Sequence, residues 1–152
     1  VEILIGVEHF SDKVLKTLNK NYDLDKLFAA LEKIKGDAKL PVMSLYTLVG
    51  LPNEDHDAIR ENLEVFKKMN ERHLYDFSFP KFFVPYPDTE IYLHPEKFNV
   101  RILNKDWQEY HRWCLPRVIE IIGMKDEDYV REIEEISKIS KEQEVSEYDK
   151  DR

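Results

Sequence analysis

The chain has 152 residues, of which 42% are hydrophobic, 12% aromatic and 36% charged, and its formal net charge is −8. This length favours one domain with a hydrophobic core over two domains. The negative charge argues against a general binder of nucleic acids or anionic membranes, which would carry a basic face. Cys114 is the single cysteine in the sequence, so an internal disulfide is excluded and a reducing, cytoplasmic compartment is expected. No stretch is apolar over enough residues to span a bilayer, so no membrane contact is expected.

The first element is an apolar stretch over residues 1–7 that is typical of a buried strand. Such a strand normally has neighbours on both sides, so we expect this chain to be a piece of a longer protein. An edge strand at a processed terminus is the alternative. Ser11 is predicted to cap a short helix, and Asp23 is predicted to cap a second helix that ends at Gly36.

The middle of the chain holds two further apolar stretches. Residues 40–54 form a run that ends abruptly in the turn-forming sequence GLPNE, and its part over residues 42–49 has the β-branched and aromatic content of a strand. Asn53 or Asp55 is predicted to cap the helix that follows this turn. Residues 74–84 are predicted to form a third strand, in which Pro80 indicates an interruption, a bulge or an edge position.

The last third of the chain is predicted to be helical. Residues 85–89 have the composition of a loop, and residues 89–93 are predicted to form one helical turn. A helix is predicted from Asn104 or Asp106 onward, with a kink at Pro116 and apolar residues continuing to Gly123. From residue 125 a charged helix with one apolar stripe is expected, and it is predicted to fray over the final segment KEQEVSEYDKDR.

One pair of residues in this region has the spacing of metal ligands. His111 and Cys114 lie at positions i and i+3 of the predicted helix. Two ligands do not make a metal site, so packing within the helix is the preferred interpretation and no metal site is predicted here. Trp107, Tyr110 and Trp113 form an aromatic stripe for which core packing is likewise preferred.

The order strand, helix pair, strand, helix, strand predicts right-handed βαβ crossovers in a parallel sheet of about three strands. The fold class is therefore α/β, with helices flanking the sheet and a helical extension at the C-terminus. Three strands make a small sheet, which would need cover on both faces or completion by further strands.

Three sequence blocks follow the ends of the predicted strands. They are IGVEHFSD at residues 5–12 with VL at 14–15 and NK at 19–20, VGLPNE at 49–54, and PYPDT at 85–89 with IY at 91–92. Together and in this order they resemble the second half of a radical S-adenosylmethionine enzyme. In that superfamily a glycine-x-glutamate or glutamine ends the fourth barrel strand, and GLPxE-like and PYPxT-like segments follow the fifth and sixth strands. The resemblance is strongest to the branch that includes coproporphyrinogen dehydrogenases, methylthiotransferases and cobalamin-dependent members.

This resemblance covers about residues 1–92 and implies a partial TIM-like (β/α) barrel. We therefore expect residues 1–92 to form the C-terminal half of such a barrel. Residues 93–124 are expected to form a helical extension packed on it, and residues 125–152 a charged helix with a frayed tail.

The resemblance also assigns two polar residues to the cofactor. Glu8 matches a residue that hydrogen-bonds the ribose hydroxyls of the nucleoside, and a carboxylate can accept from two adjacent hydroxyls. Lys20 matches a position, often arginine, that pairs with the carboxylate of the methionine moiety of S-adenosylmethionine. The alternatives are an exposed loop acid and an ordinary surface lysine.

The turn after the second strand would lie under the adenine in these enzymes. Gly50, Leu51 and Pro52 would form that turn, with Leu48 and Leu51 offering apolar contact and main-chain groups reading the base edge. Tyr46 departs from the family pattern, which often has a small residue or a ribose-binding aspartate there. A tyrosine would replace that contact with a hydroxyl or remove it.

The end of the third strand would lie beside the adenine. Phe83, Val84 and Pro85 would form the apolar wall that a purine face requires. For Phe83, plain core packing is the preferred alternative.

The sequence also departs from the superfamily by lacking its cluster-binding loop. The superfamily binds a four-iron, four-sulfur cluster through CxxxCxxC, whereas this chain has Cys114 alone. The cluster would therefore come from an N-terminal half of the same protein or from a cluster-bearing partner. A cobalamin-binding domain is possible in the parent protein. The chain alone is not expected to cleave S-adenosylmethionine.

Three functional interpretations follow from the sequence. The chain is a portion of a radical S-adenosylmethionine enzyme, a non-catalytic half-barrel that binds a nucleoside or a protein, or an unrelated α/β domain. A small molecule, a peptide or an RNA could each be the substrate of the enzyme, and no residue of the chain is assigned a catalytic role. The third interpretation would be favoured if Glu8, Gly50 and Pro85 did not lie at the same edge of one parallel sheet.

Overall fold

The computed structural model describes residues 2–36, 42–111 and 117–148, and within them the side chains of residues 109, 111 and 141–148 are not described. Strands and α-helices alternate through the first half of the chain. In chain order the elements are β1 (Ile3–Glu8), α1 (Asp12–Thr17), α2 (Leu24–Lys35), β2 (Met43–Val49), α3 (His56–Glu71), β3 (Phe77–Phe82), α4 (Glu90–Leu93), a 3-10 helix (Pro95–Phe98), β4 (Val100–Ile102), a second 3-10 helix (Trp107–His111), β5 (Ile119–Ile121) and α5 (Asp126–Tyr148).

Strands β1, β2 and β3 form a parallel sheet in that order, as predicted. Gly6 of β1 pairs with Tyr46 of β2, and Tyr46 pairs with Phe79 of β3. The register between β1 and β2 shifts between Gly6 and Glu8, which marks a bulge at the end of β1. Pro80 pairs in register with Thr47 and lies in the edge strand β3, so of the three predicted options the edge position is the observed one.

The two faces of this sheet differ in their cover. One face packs against the helices, and its side chains join the main core together with residues of α2, α3 and α5; the members from the strands are Val7, Met43, Leu45, Val49 and Phe82. The other face carries apolar side chains that are 37–56% exposed, namely Leu4, Tyr46, Phe77 and Phe79. A parallel three-stranded sheet with helices on one face and an open second face is consistent with a partial barrel.

Helix α3 begins where its sequence predicts, because an aspartate caps it. The side chain of Asp55 accepts a hydrogen bond from the backbone N–H of Ala58, and Asp23 caps α2 in the same way. Ser11 occupies the N-cap position of α1 but makes no side-chain capping bond. These caps fix where each helix leaves the edge of the sheet.

The segment between residues 93 and 124 differs from the predicted helical extension. It contains the short helix α4, two 3-10 helices, and the antiparallel strand pair β4–β5. Ile119 and Ile121 are buried while Glu120 pairs with Arg101 across the two strands, so the pattern has the period of two that defines a strand. The prediction of a helix continuing through residues 118–122 was therefore wrong. Trp113, Cys114 and Pro116 lie outside the described residues.

Helix α5 follows the second sheet and packs against α3 and β3. Its buried side chains include Tyr129, Glu132, Ile136 and Ile139. The helix extends to Tyr148, the fraying of the final segment stays a prediction, and residues 149–152 lie outside the described part. Within the described residues, none of the helices combines the length and the apolar character needed to cross a bilayer.

Candidate functional site

The ends of the three parallel strands bring the predicted site residues to one edge of the sheet. Glu8 is the last residue of β1, Gly50 follows β2 directly, and Phe83 follows β3. The backbone N–H of Phe83 donates to the carbonyl of Val49 at 2.8 Å, which holds the ends of β2 and β3 together. The carboxyl ends of parallel strands are where α/β proteins place their ligand sites.

The two polar residues assigned to the cofactor form an ion pair with each other. Lys20 Nζ lies 2.7 Å from Glu8 Oε1 and 3.4 Å from the carbonyl oxygen of Gly6. The Glu8 side chain is 23% exposed and that of Lys20 is 40% exposed, so both are accessible at the sheet edge. A Cβ on Gly6 would lie 3.2 Å from Glu8 Oε1, so the glycine leaves room for the carboxylate to fold back over β1. Glu8 has φ of 61°, which turns the chain at this point.

The turn after β2 is held by its own glutamate. Glu54 Oε2 accepts the backbone N–H of Leu51 at 2.6 Å. The N–H group of Leu51 is therefore already engaged within the turn, and the reading of the base edge by main-chain groups stays a prediction. Leu51 is fully buried and packs with Val14 and Ala58, so it supports the turn from below.

The other residues predicted to contact the cofactor differ in how far they are buried. Leu48 and Phe83 are partly buried and pack against the small cluster that contains Leu51, so these three side chains lie together. Pro52, Val84 and Pro85 are buried.

Tyr46 lies apart from this cluster, on the open face of the sheet. It is 37% exposed and its ring centroid is 5.5 Å from that of Phe79.

A fully buried polar cluster lies directly behind the turn, and the sequence interpretation did not anticipate it. His9 Nε2 lies 3.4 Å from Glu54 Oε1 and 3.9 Å from Glu132 Oε1, and none of the three side chains is exposed. Asn62 donates from Nδ2 to Glu132 Oε1 at 2.7 Å and accepts the backbone N–H of Phe10 at 3.1 Å. The cluster therefore joins the end of β1, the turn after β2, α3 and α5.

Burial shifts the pKa values of the three side chains so that the neutral form of each is favoured. The pKa of His9 is lowered to about 4 by desolvation, although nearby carboxylates oppose the shift. Desolvation raises the pKa of Glu54 to about 7, against its hydrogen bonds and the charge of Arg117. The pKa of Glu132 is raised well above its usual value by desolvation, and next by its neighbour Glu54.

Arg117 supplies the one positive charge described next to this cluster. Its side chain is 1% exposed, and its Nε and Nη2 lie 2.8 and 2.7 Å from Asp126 Oδ1. Its Cζ lies 4.7 Å from the ring centroid of Tyr129. The guanidinium group also covers Gly50, which has φ of 77° and where an added Cβ would lie 2.7 Å from Arg117 Nη1.

The residue types of the buried cluster are those that bind divalent metals, and one ligand atom from each of His9, Glu54 and Glu132 lies within 4.8 Å of the others. The histidine tautomer argues against a metal at this position. His9 Nδ1 accepts the backbone N–H of Ser11 at 3.0 Å, so the single proton of a neutral ring lies on Nε2. A metal bound at Nε2 would leave the ring with no proton while this hydrogen bond persists.

The chain is distantly similar to tRNA-modifying enzymes. Proteins named tRNA-2-methylthio-N(6)-dimethylallyladenosine synthase from two strains of Thermus thermophilus are 26% identical to it over 133 residues, which is 85% of this chain and 28% of each relative. A protein of the same name from Corynebacterium diphtheriae is 35% identical over 71 residues, 45% of this chain and 13% of that relative.

No family model matches the chain. The chain spans less than a third of the length of these relatives. Methylthiotransferases belong to the branch that the sequence motifs resemble, so the similarity supports the radical S-adenosylmethionine superfamily in a coarse sense.

Proposed function

We propose that this chain is a portion of a radical S-adenosylmethionine enzyme and supplies the ribose and adenine side of its cofactor pocket. The observation that carries the proposal is that three adjacent parallel strands end at one sheet edge with Glu8, the turn at Gly50 and the segment from Phe83 to Pro85. The distant similarity to the two sets of synthases supports the same assignment. Their name makes a tRNA adenosine the first substrate to test for the whole protein.

The residues at this edge fit a nucleoside in their chemistry. Lys20 engages one oxygen of the Glu8 carboxylate, and a carboxylate has a second oxygen that accepts hydroxyl groups. Leu48 and Phe83 are partly buried apolar side chains beside the turn, as a purine face requires. Lys20 would exchange its partner Glu8 for the carboxylate of the methionine moiety.

The chain does not itself fit the iron–sulfur cluster. Its sequence has one cysteine, whereas three thiolates are needed to hold three irons of the cluster. When bound, the cluster supplies the electron for cleavage of S-adenosylmethionine. Its ligands would come from another part of the protein or from a partner, and the residues of this chain would bind and orient the nucleoside.

The test is binding of 5′-deoxyadenosine and S-adenosylmethionine, measured by isothermal titration calorimetry. We expect saturable binding of both, and we expect Glu8→Gln to weaken it about 10- to 100-fold, since hydrogen bonds to a charged group contribute about 1.5–3 kcal/mol. Glu134→Gln, which changes an exposed glutamate on α5, is the matched control and should bind as wild type does. Equal affinity of the Glu8→Gln variant and the wild-type chain would contradict the assignment of Glu8.

The second candidate function is a half-barrel that binds a nucleoside or a protein without radical chemistry. It is favoured by the exposed apolar side chains on the open sheet face, Leu4, Tyr46, Phe77 and Phe79, which form a contact surface. The two candidate functions can be distinguished in a complex of the chain with a co-purifying polypeptide that carries a CxxxCxxC loop. Formation of 5′-deoxyadenosine from S-adenosylmethionine by the reduced complex would identify the enzyme, whereas binding without cleavage would identify the module.

A further inference from the structure

We propose that Glu132 of α5 is a positioning residue for the turn at Gly50 and Leu51, acting through one proton that its carboxyl group shares with that of Glu54. This inference rests on the proposed function, in which the turn lies under the bound nucleoside. It assigns a role in the pocket to a helix far along the chain from the three strand-end motifs.

The link between helix and turn is a chain of buried polar groups. Glu54 holds the turn through the N–H group of Leu51, and one oxygen of its carboxyl group lies within 4.8 Å of one oxygen of the Glu132 carboxyl group. Asn62 fixes Glu132 by donating to its Oε1. Glu132 is therefore oriented independently of the turn, so it can determine where the Glu54 carboxyl group lies.

A shared proton follows from the chemistry of this contact. Two carboxylates have acceptors only, so they hydrogen-bond each other only when one of them carries a proton. Among the described residues, Glu54 Oε1 and Glu132 Oε2 have no donor. Both side chains are fully buried, where two uncompensated negative charges would be strongly unfavourable. Arg117 can balance one negative charge of the pair.

The histidine in the cluster has its N–H group next to the pair. Because the Ser11 N–H donates to His9 Nδ1, the ring proton lies on His9 Nε2, which is 3.4 Å from Glu54 Oε1 without forming a hydrogen bond to it. His9 thus supports a pair that keeps one negative charge. The described charged or titratable groups that act on the cluster from the elements around it are Glu61, Arg117 and Tyr129, and Asp128 acts in turn on Tyr129.

The cluster gives the stability of the chain a defined dependence on pH. The pKa of Glu54 is raised from 4.5 to about 7, so between these pH values the folded chain keeps a proton that the unfolded chain has lost, and stability falls as pH rises. The pKa of His9 is lowered from 6.5 to about 4, so in that window the unfolded chain binds more protons and stability rises with pH. The two effects oppose each other below pH 6.5, and above it the carboxyl pair alone acts.

The test compares the wild-type chain with Glu132→Gln and with the control Glu134→Gln. Glutamine reproduces the protonated acid, because its oxygen accepts from Asn62 and its N–H group donates to Glu54 at every pH. The melting temperature and the NMR shifts of the Gly50 and Leu51 amides are followed from pH 6 to 8.5. Affinity for 5′-deoxyadenosine is measured at both ends of this range.

We expect the wild-type melting temperature to fall above pH 6.5 and the two amides to titrate with it. We also expect affinity for 5′-deoxyadenosine to decrease about two- to tenfold at pH 8.5, the contribution of one hydrogen bond. Glu132→Gln should show none of these pH effects while binding as the wild type does at pH 6, and Glu134→Gln should show all of them.

Two results would overturn the proposal. The first is that the NMR shifts of the Gly50 and Leu51 amides depend on pH equally in the wild-type chain and in Glu132→Gln. The other is a rise in melting temperature on adding Zn²⁺ that EDTA reverses, because the cluster would then be a metal site. If the amides behave as expected and 5′-deoxyadenosine does not bind at either pH, the proposed function fails and the positioning role of Glu132 stands.

Discussion

Gly50→Ala is the substitution that most directly tests how the turn after β2 is built. Gly50 has φ of 77°, a conformation that is unfavourable for residues with a side chain. An alanine Cβ would also lie 2.7 Å from Arg117 Nη1, closer than side-chain carbons approach other atoms. The substitution therefore perturbs the backbone and the packing of the guanidinium group together.

The expected cost has two parts. The left-handed conformation costs about 1–2 kcal/mol for a residue other than glycine. Arg117 cannot move away easily, because it is buried, paired with Asp126 and in contact with the Tyr129 ring, so overpacking adds about 1–3 kcal/mol. We expect Gly50→Ala to lower the free energy of unfolding by about 2–5 kcal/mol in total.

The assay is urea denaturation of Gly50→Ala beside Gly123→Ala. Gly123 also has a positive φ, of 91°, but nothing lies within 4 Å of an added Cβ there. The control should therefore lose only the backbone part, about 1–2 kcal/mol. Equal losses for the two variants would show that Arg117 does not pack over the turn, and the reasoning would be refuted.

Two further substitutions test the buried network around Glu54. Tyr129→Phe removes the hydroxyl that donates to the Glu54 carbonyl at 2.9 Å, and it should lower the free energy of unfolding by about 1–3 kcal/mol; no loss in denaturation would contradict this bond. Asn62→Leu removes the partners of the Phe10 N–H and of Glu132, and it should lower the free energy of unfolding by about 2–5 kcal/mol. A loss below about 1 kcal/mol for this variant would mean that the two groups find other partners.

The parallel sheet was predictable because its strands have strong local signals. Residues 42–49 are apolar and β-branched, and helices with recognisable caps at Asp23 and Asp55 separate the strands. The strand pair β4–β5 was not predictable, because three-residue strands are too short to show a period of two. Apolar residues at 118–122 fit a helix as well as a strand until their partner β4 is known.

The candidate site was predictable only where a motif marks it. Glu8 and Gly50 belong to sequence blocks whose order predicts a common edge, and the sheet order agrees. The neighbour of Glu54 was missed, because Glu132 is separated from it by about half of the chain and looks like any glutamate of a charged helix. One signal was present: Glu132 lies three residues after Tyr129 and four before Ile136, on the face of α5 that is buried.

The central claim is that a nucleoside binds at the carboxyl edge of the parallel sheet. The most direct measurement is a titration of the isotope-labelled chain with 5′-deoxyadenosine, followed through its backbone amide NMR signals. We expect saturable shifts concentrated at Glu8, Gly50 and Phe83, with β4 and β5 unaffected. Absence of shifts at saturating nucleoside, or shifts centred away from these three strand ends, would contradict the claim.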